Sequence, residues 1–230
     1  MPNPDNAVDR AAELAALGLA PRLPAGAQAR LVDALHDDDG RVRAAALAAL
    51  VRRGTIRRAV PAWRVALDDE DVAVRRRAAE LAAQLASRPR TERDEIRAAL
   101  VTRLTDPDVT VVEAASWALG ELGDEPRGTA LTATVDGLTS NARSHPDALA
   151  REAAVAALGA IGDERGRAAV LAACDDKPAV RRRAVLALAP FDGPEVDAAI
   201  ERALQDRDWQ VRQAAEDLGG SGVSAESRGP

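Results

Sequence analysis

The residues best suited to chemistry in this 230-residue chain are few and scattered: one cysteine, Cys174, and two histidines, His36 and His145. A zinc site needs clustered Cys and His ligands, and these three fall in different stretches of the chain. The acidic runs Asp37-Asp38-Asp39 and Asp68-Asp69-Glu70-Asp71 lack the ligand spacing of a calcium loop. Helix caps and solvated turns explain them better. Cys174 falls where comparable stretches carry His36, Asp68 and Thr105, so it reads as a small packed side chain rather than a nucleophile. No serine has the setting of a nucleophile elbow. The turns Gly123-Asp124 and Gly162-Asp163 resemble neither a phosphate loop nor a dinucleotide fingerprint. The sequence therefore indicates no catalytic site, no metal and no cofactor. What remains is recurring charge and a single tryptophan in an unusual slot.

The recurring charge belongs to a repeat. Six stretches align on the apolar residues Val42, Val74, Val111, Ala150, Val180 and Val211, spaced by 32, 37, 39, 30 and 31 residues. Three positions before each lies Asp39, Asp71, Asp108, Asp147, Lys177 or Asp208. Five before, leaving aside the fourth unit, lie Asp37, Asp69, Asp106, Asp175 and Asp206. One position after come Arg43, Arg75, Val112, Arg151, Arg181 and Arg212, and four after is always alanine, from Ala46 to Ala215. Offsets 0, 4, 8 and 11 share one face of an α-helix. The Asp three before the register residue suits an N-cap, where a carboxylate meets free N–H groups and the positive end of the helix dipole.

Each unit thus reads as a helix A, an acidic turn, a helix B and a glycine-marked turn. A lone first helix is expected over about 6–17, with Gly18 as its C-cap. A helices are expected near 25–36, 56–67, 92–104, 128–139, 165–174 and 194–205. B helices are expected near 40–53, 72–86, 109–121, 148–161, 178–189 and 209–218. Gly54, Gly123 and Gly162 mark stops between them.

The pattern resembles the HEAT repeat family, in the short variety named after phycobilisome lyases, over about 25–218. The residues that carry the resemblance are Leu104-Thr105-Asp106-Pro107-Asp108-Val109-Thr110-Val111 with Ala114-Ala115-Ser116-Trp117-Ala118-Leu119-Gly120, and Gly162-Asp163-Glu164-Arg165-Gly166-Arg167-Ala168-Ala169-Val170. The resemblance implies an all-α protein, a right-handed α-α superhelix of about six helix pairs plus an N-terminal capping helix. A helices would form its convex side and B helices a concave groove. One solenoid domain is expected over 1–218, with repeats at about 25–54, 55–87, 91–123, 124–162, 163–192 and 193–218. The small, polar tail 219–230 is expected to be disordered. Gln210, Gln213, Glu216 and Asp217 make the last B helix polar enough for an end cap. No His-Glu dipeptide occurs, so the HEAT-type di-iron hydroxylases are not matched. The family name suggests bilin lyase activity, but nothing in these residues singles it out.

In such a solenoid Asp37, Asp69 and Asp106 stack in adjacent turns, as do Arg43 and Arg75, and a ladder of charge-assisted bonds, with Arg181 and Arg212 in the same slot further along, would hold the turns in register. Binding is expected on the concave face, where offsets +2, +6 and +10 point outward. There the third unit offers Glu113, Trp117 and Glu121, flanked by Arg76 and Glu80 on one side and by Glu152 and Arg182 on the other. An outward Trp suits an interface hot spot for a partner helix or extended peptide, or it leans onto Ala156. Trp63 fits the core, and Trp209 the end cap. Two stretches break the repeat. The segment Ser140-Asn141-Ala142-Arg143-Ser144-His145-Pro146 carries five extra residues, and Ser87-Arg88-Pro89-Arg90-Thr91 is also long. Both are expected to be loops, either drift or binding elements.

Composition agrees with a helical stack: 47% of residues are hydrophobic but only 2% aromatic, so the core must be thin layers of Ala, Leu and Val. Lys177 is the single lysine among 31 basic residues, and the net charge is −6. That balance disfavours a dedicated nucleic-acid binder, although residues 41–103 carry 15 Arg against 8 acids. Arg52, Arg53, Arg57, Arg58, Arg75, Arg76 and Arg77 lie there, either as a basic patch able to steer nucleic acid or an acidic protein, or as a solvated surface. A lone cysteine excludes an intrachain disulfide. Met1-Pro2-Asn3-Pro4-Asp5 does not read as a signal peptide, and no apolar run spans a bilayer. A cytoplasmic, non-enzymatic adaptor with a protein partner is the expectation. Nucleic-acid binding and a lyase-type component are the alternatives.

Overall fold

The computed structural model describes residues 4–53, 56–85, 90–122 and 128–226. The expected turns at Gly54 and Gly123-Asp124, and most of the Ser87–Thr91 connection, lie outside them. Helix starts follow from the aspartates. Asp39, Asp71, Asp108, Asp147, Asp163 and Asp208 each accept a backbone N–H two residues on, at 2.8–3.0 Å. At the one register start without Asp, Lys177, the helix begins on Pro178 instead, whose fixed φ suits the first turn.

The capping helix is α1 (Pro4–Leu19). The A helices are α2 (Ala27–Asp33, continued by a 3-10 turn to His36), α4 (Ile56–Ala66), α6 (Arg90–Arg103), α8 (Thr129–Ser144), α10 (Glu164–Ala173) and α12 (Pro194–Ala203). The B helices are α3 (Gly40–Arg52), α5 (Val72–Leu81, continued by a 3-10 turn to Leu85), α7 (Val109–Glu121), α9 (Ala148–Ile161), α11 (Pro178–Ala187) and α13 (Trp209–Glu226). The B helices stack in order from α3 to α13, and α6, α8, α10 and α12 stack in a second layer. The result is an all-helical α-solenoid.

The register residues and the alanines four positions later are all buried, and they form the seam between the layers. Trp63 is fully buried, and its Nε1 donates to the carbonyl of Ala78 on α5 at 2.6 Å. The A layer also carries cross-links between repeats. Arg103 at the end of α6 donates to the Leu67 carbonyl at 3.0 Å, and Asn141 on α8 donates to the Leu104 carbonyl at 2.9 Å.

Three expectations need correction. Gly18 is not a C-cap but a buried residue inside α1. A Cβ there would stand 2.9 Å from the Ala49 Cα, so glycine lets α1 lie directly on α3. The five extra residues before His145 do not form a loop. They lengthen α8 to Ser144, and the added turn is packed, with Asn141 and Ala142 buried. Finally, α13 runs to Glu226 rather than ending near 218. No proline interrupts the chain there before Pro230, and glycine weakens a helix by only about 1 kcal/mol per residue.

Candidate interaction face

Between adjacent turns, Arg43 on α3 makes a two-pronged bond with Asp69, Nε to Oδ2 at 2.8 Å and Nη2 to Oδ1 at 2.6 Å. Its Nη1 donates to the Asp37 carbonyl at 2.8 Å. Arg75 repeats this with Asp106 (2.9 and 3.1 Å) and the Asp69 carbonyl (2.9 Å). Arg181 does so with Asp206 (2.8 and 2.7 Å) and the Asp176 carbonyl (2.8 Å). Each aspartate also accepts the backbone N–H that closes its own turn: Asp37 from Asp39, Asp69 from Asp71, Asp106 from Asp108 and Asp206 from Asp208, at 2.8–3.0 Å. These bonds fill both partners' polar capacity, so the charged side chains sit well inside the surface.

Sequence reasoning placed Arg212 in this ladder and Val112 in its arginine slot, but it missed three features. Arg10 of the capping helix supplies the first rung, reaching Asp37 at 2.8 and 3.2 Å; no register residue precedes it to signal the role. In the fifth unit the partner of Arg151 is Asp176, at 2.6 and 2.8 Å, not Asp175. At the third-to-fourth junction Val112 stands in the Arg slot, fully buried, and His145 in the Asp slot. His145 Nδ1 accepts the Asp147 N–H at 3.1 Å, doing the turn-closing part of the aspartate's work. Arg212 donates to the Asp206 carbonyl at 2.7 Å and ends the series.

The rungs set carboxylate acidity. The Arg151 guanidinium beside Asp176 and that of Arg181 beside Asp206 hold both carboxyls below the usual range. Burial pushes Asp69 upward, but its bonds from Arg43 and Asp71 outweigh this and leave it lowered. Burial pushes the Cys174 thiol up to about 11, which removes the thiolate a nucleophile needs at neutral pH. No group of three metal-ligating side chains converges among the described residues.

Where α7 meets α9 the B-helix layer opens into a cleft of about 440 Å³. It is lined by Glu113, Trp117 and Glu121 from α7, by Glu152, Leu149 and a run of alanines from α9, and by Arg183 from α11. The cleft exists because small residues meet at its base. A Cβ on Gly120 would come 3.2 Å from the Ala157 Cα, so the helices touch there, and Ala156 and Ala160 leave the space above them open. Trp117 stands 48% exposed in this cleft while its neighbours Ser116 and Ala118 are buried.

Four of the residues assigned to the binding face from sequence therefore meet in one cleft. The other three lie beside it. Arg76 and Glu80 pair with each other on α5 at 3.4 Å. Arg182 reaches Glu152 at 3.8 Å without lining the space, which Arg183 does, at 3.6 Å from the same carboxylate. Sequence offsets singled out Arg182 rather than Arg183, because an outward-facing slot does not say which neighbour leans inward.

Among the described residues, several arginines of the 41–103 stretch are engaged elsewhere. Arg75 is committed to the ladder, Arg77 bonds Glu80 at 2.9 Å, and Arg53 donates to the Ala20 carbonyl. Arg52 is exposed, and the side chains of Arg57 and Arg58 lie outside the described residues. No helix among the described residues is long and apolar enough to cross a membrane.

Stacked helix pairs with a shared seam define an α-solenoid. A family model for HEAT repeats matches residues 60–137 and 135–218, and the chain belongs to the HEAT repeat family. Solved structures of similar fold include a designed armadillo repeat protein in complex with the peptide (KR)4 (19% identity, TM-score 0.62, covering 82% of this chain and 96% of that one). The complex of CpcE and CpcF of phycocyanin lyase from Nostoc sp. PCC7120 is similar at 25% identity and TM-score 0.59, over 85% of this chain and 76% of that one. A Kap121p mutant matches at 17% identity and TM-score 0.67, over 91% of this chain but 24% of that one. No curated protein matches the sequence.

Proposed function

We propose that this protein is a non-enzymatic interaction module that holds a protein partner against the outward face of its B helices, centred on the α7–α9 cleft. The observation that carries this reading is Trp117, a large aromatic left half-exposed in a cleft, in a chain whose other described apolar side chains mostly pack in layers. Tryptophans in such settings dominate binding energy at interfaces. The cleft has the size of a binding site for a few side chains, and its rim of Glu113, Glu121 and Glu152 gives it orientation and selectivity. The ladder supports the same reading from the other direction. It consumes the repeated Asp and Arg in holding the turns together, which leaves the B-helix face free to vary. Proteins of similar fold bound to a peptide or paired with a second subunit lend general support to a protein partner.

An enzymatic role draws no support from the described residues. The cysteine is half-buried and held as a thiol, and the histidines are apart. The test is affinity capture from the native host with the wild-type chain and with Trp117→Ala. The module reading expects a partner recovered by the wild type and lost from the variant, with the helical circular dichroism of the two unchanged. Equal recovery by both would reject the α7–α9 cleft as the binding face.

A further inference from the structure

Glu113, Trp117 and Glu121 stand at i, i+4 and i+8 on α7, so the indole has a carboxylate one helical turn to either side. Across the cleft, Glu152 is near two arginines, at 3.6 Å from Arg183 and 3.8 Å from Arg182. Glu113 and Glu121 form no ion pair among the described residues. The lining thus holds three carboxylates against one guanidinium. Residues 104–230 as a whole carry 13 basic against 22 acidic side chains.

This arrangement selects its occupant. An apolar surface laid over Trp117 would strand the two carboxylates away from water, and burying an unpaired charge is costly. An acidic segment or a phosphate backbone would meet like charge. A flat cation fits both demands: its face lies on the indole while its edges donate to carboxylates in two directions. Guanidinium is planar and stacks on aromatic rings, whereas an ammonium is a hydrated point charge with no face. We infer that the α7–α9 cleft is a slot for an arginine side chain on an extended, basic segment of the partner, stacked on Trp117 between Glu113 and Glu121. This rests on the interaction-face reading above and specifies its chemistry.

The test uses the full chain, with octa-arginine and octa-lysine peptides as probes, in calorimetric titrations at 0.15 M salt. Octa-arginine binds more tightly than octa-lysine. Its affinity falls at least tenfold in Trp117→Ala and likewise in the double variant Glu113→Gln, Glu121→Gln. A control pair on α12, Glu195→Gln with Glu201→Gln, leaves it within twofold of wild type. The two cleft variants are independent, so a folding defect in one, seen by circular dichroism, leaves the other as the test. Equal binding of the two peptides, octa-arginine affinity indifferent to both cleft variants, or no octa-arginine binding would each overturn the slot. If the captured partner still depends on Trp117 while octa-arginine does not, the interaction face stands and the arginine slot falls. If neither depends on Trp117, both fall.

Discussion

Asp106 belongs to an acidic turn, yet its side chain is only 2% exposed. It tolerates that burial because Arg75 meets both its oxygens and the Asp108 N–H meets one of them again. Removing one member of such a pair leaves the other charge desolvated and unpaired. Asp106→Ala is therefore expected to lower the unfolding free energy by about 2–4 kcal/mol, seen as a lower urea midpoint with helical content retained. The depressed carboxyls add a pH dependence. Asp69, Asp176 and Asp206 titrate lower in the folded chain than in the unfolded chain, where a carboxylate titrates near about 3.9. Their contribution is complete above that value and disappears as the pH falls through the lowered folded values. Urea midpoints are thus expected to stay level from neutral pH down to about pH 5 and to drop below about pH 4. A midpoint that rose on acidification would contradict the ladder's role.

At the scale of helices, what decides spacing is the size of a few contact residues. Gly159 on α9 faces α11 so closely that a Cβ would stand 2.6 Å from the Ala187 Cα. Backbone cannot step aside as a flexible side chain can, so Gly159→Ala is expected to cost about 1–3 kcal/mol despite alanine's better helix propensity, measured by thermal or urea unfolding. The extra turn of α8 gives a second test. Asn141 there caps the Leu104 carbonyl, and Asn141→Leu leaves that carbonyl without its donor, at about 1–3 kcal/mol. The elements themselves were largely legible in the sequence. The expected limits of α7 and α9 match those observed, because a strict 3.6-residue apolar period begins on an N-capping Asp in both. The insertion before His145 was not legible. Five extra residues can extend a helix or a loop, and the partner that favours the helix, the Leu104 carbonyl, lies 37 positions away. Gly18 was misplaced for a related reason, since its use depends on the approach of α3.

Over the whole molecule, the ladder runs from Arg10 to Arg212 and breaks once, where Val112 and His145 replace an Arg–Asp rung. The same junction holds the cleft. Without the rung, α7 and α9 are held by apolar contact, with Val112, Ala115 and Val155 buried and Gly120 against Ala157. Scaffold and proposed interaction face are thus built from different residues of the same repeat. The fold could be read from the offsets that recur, and the candidate site from the slots where they do not. What those offsets could not supply was the third dimension: that Arg183 rather than Arg182 leans into the cleft, and that Arg76 and Glu80 satisfy each other beside it. The central claim is that Trp117 anchors a protein partner while contributing little to the fold. The most direct test is the Kd of the captured partner for the wild type and for Trp117→Ala, measured alongside the Tm of both. The account predicts at least a tenfold weaker Kd, a loss of about 1.4 kcal/mol or more, as for a hot-spot tryptophan, with the Tm little changed. An unchanged Kd, or a loss of binding accompanied by collapse of the Tm, would contradict it.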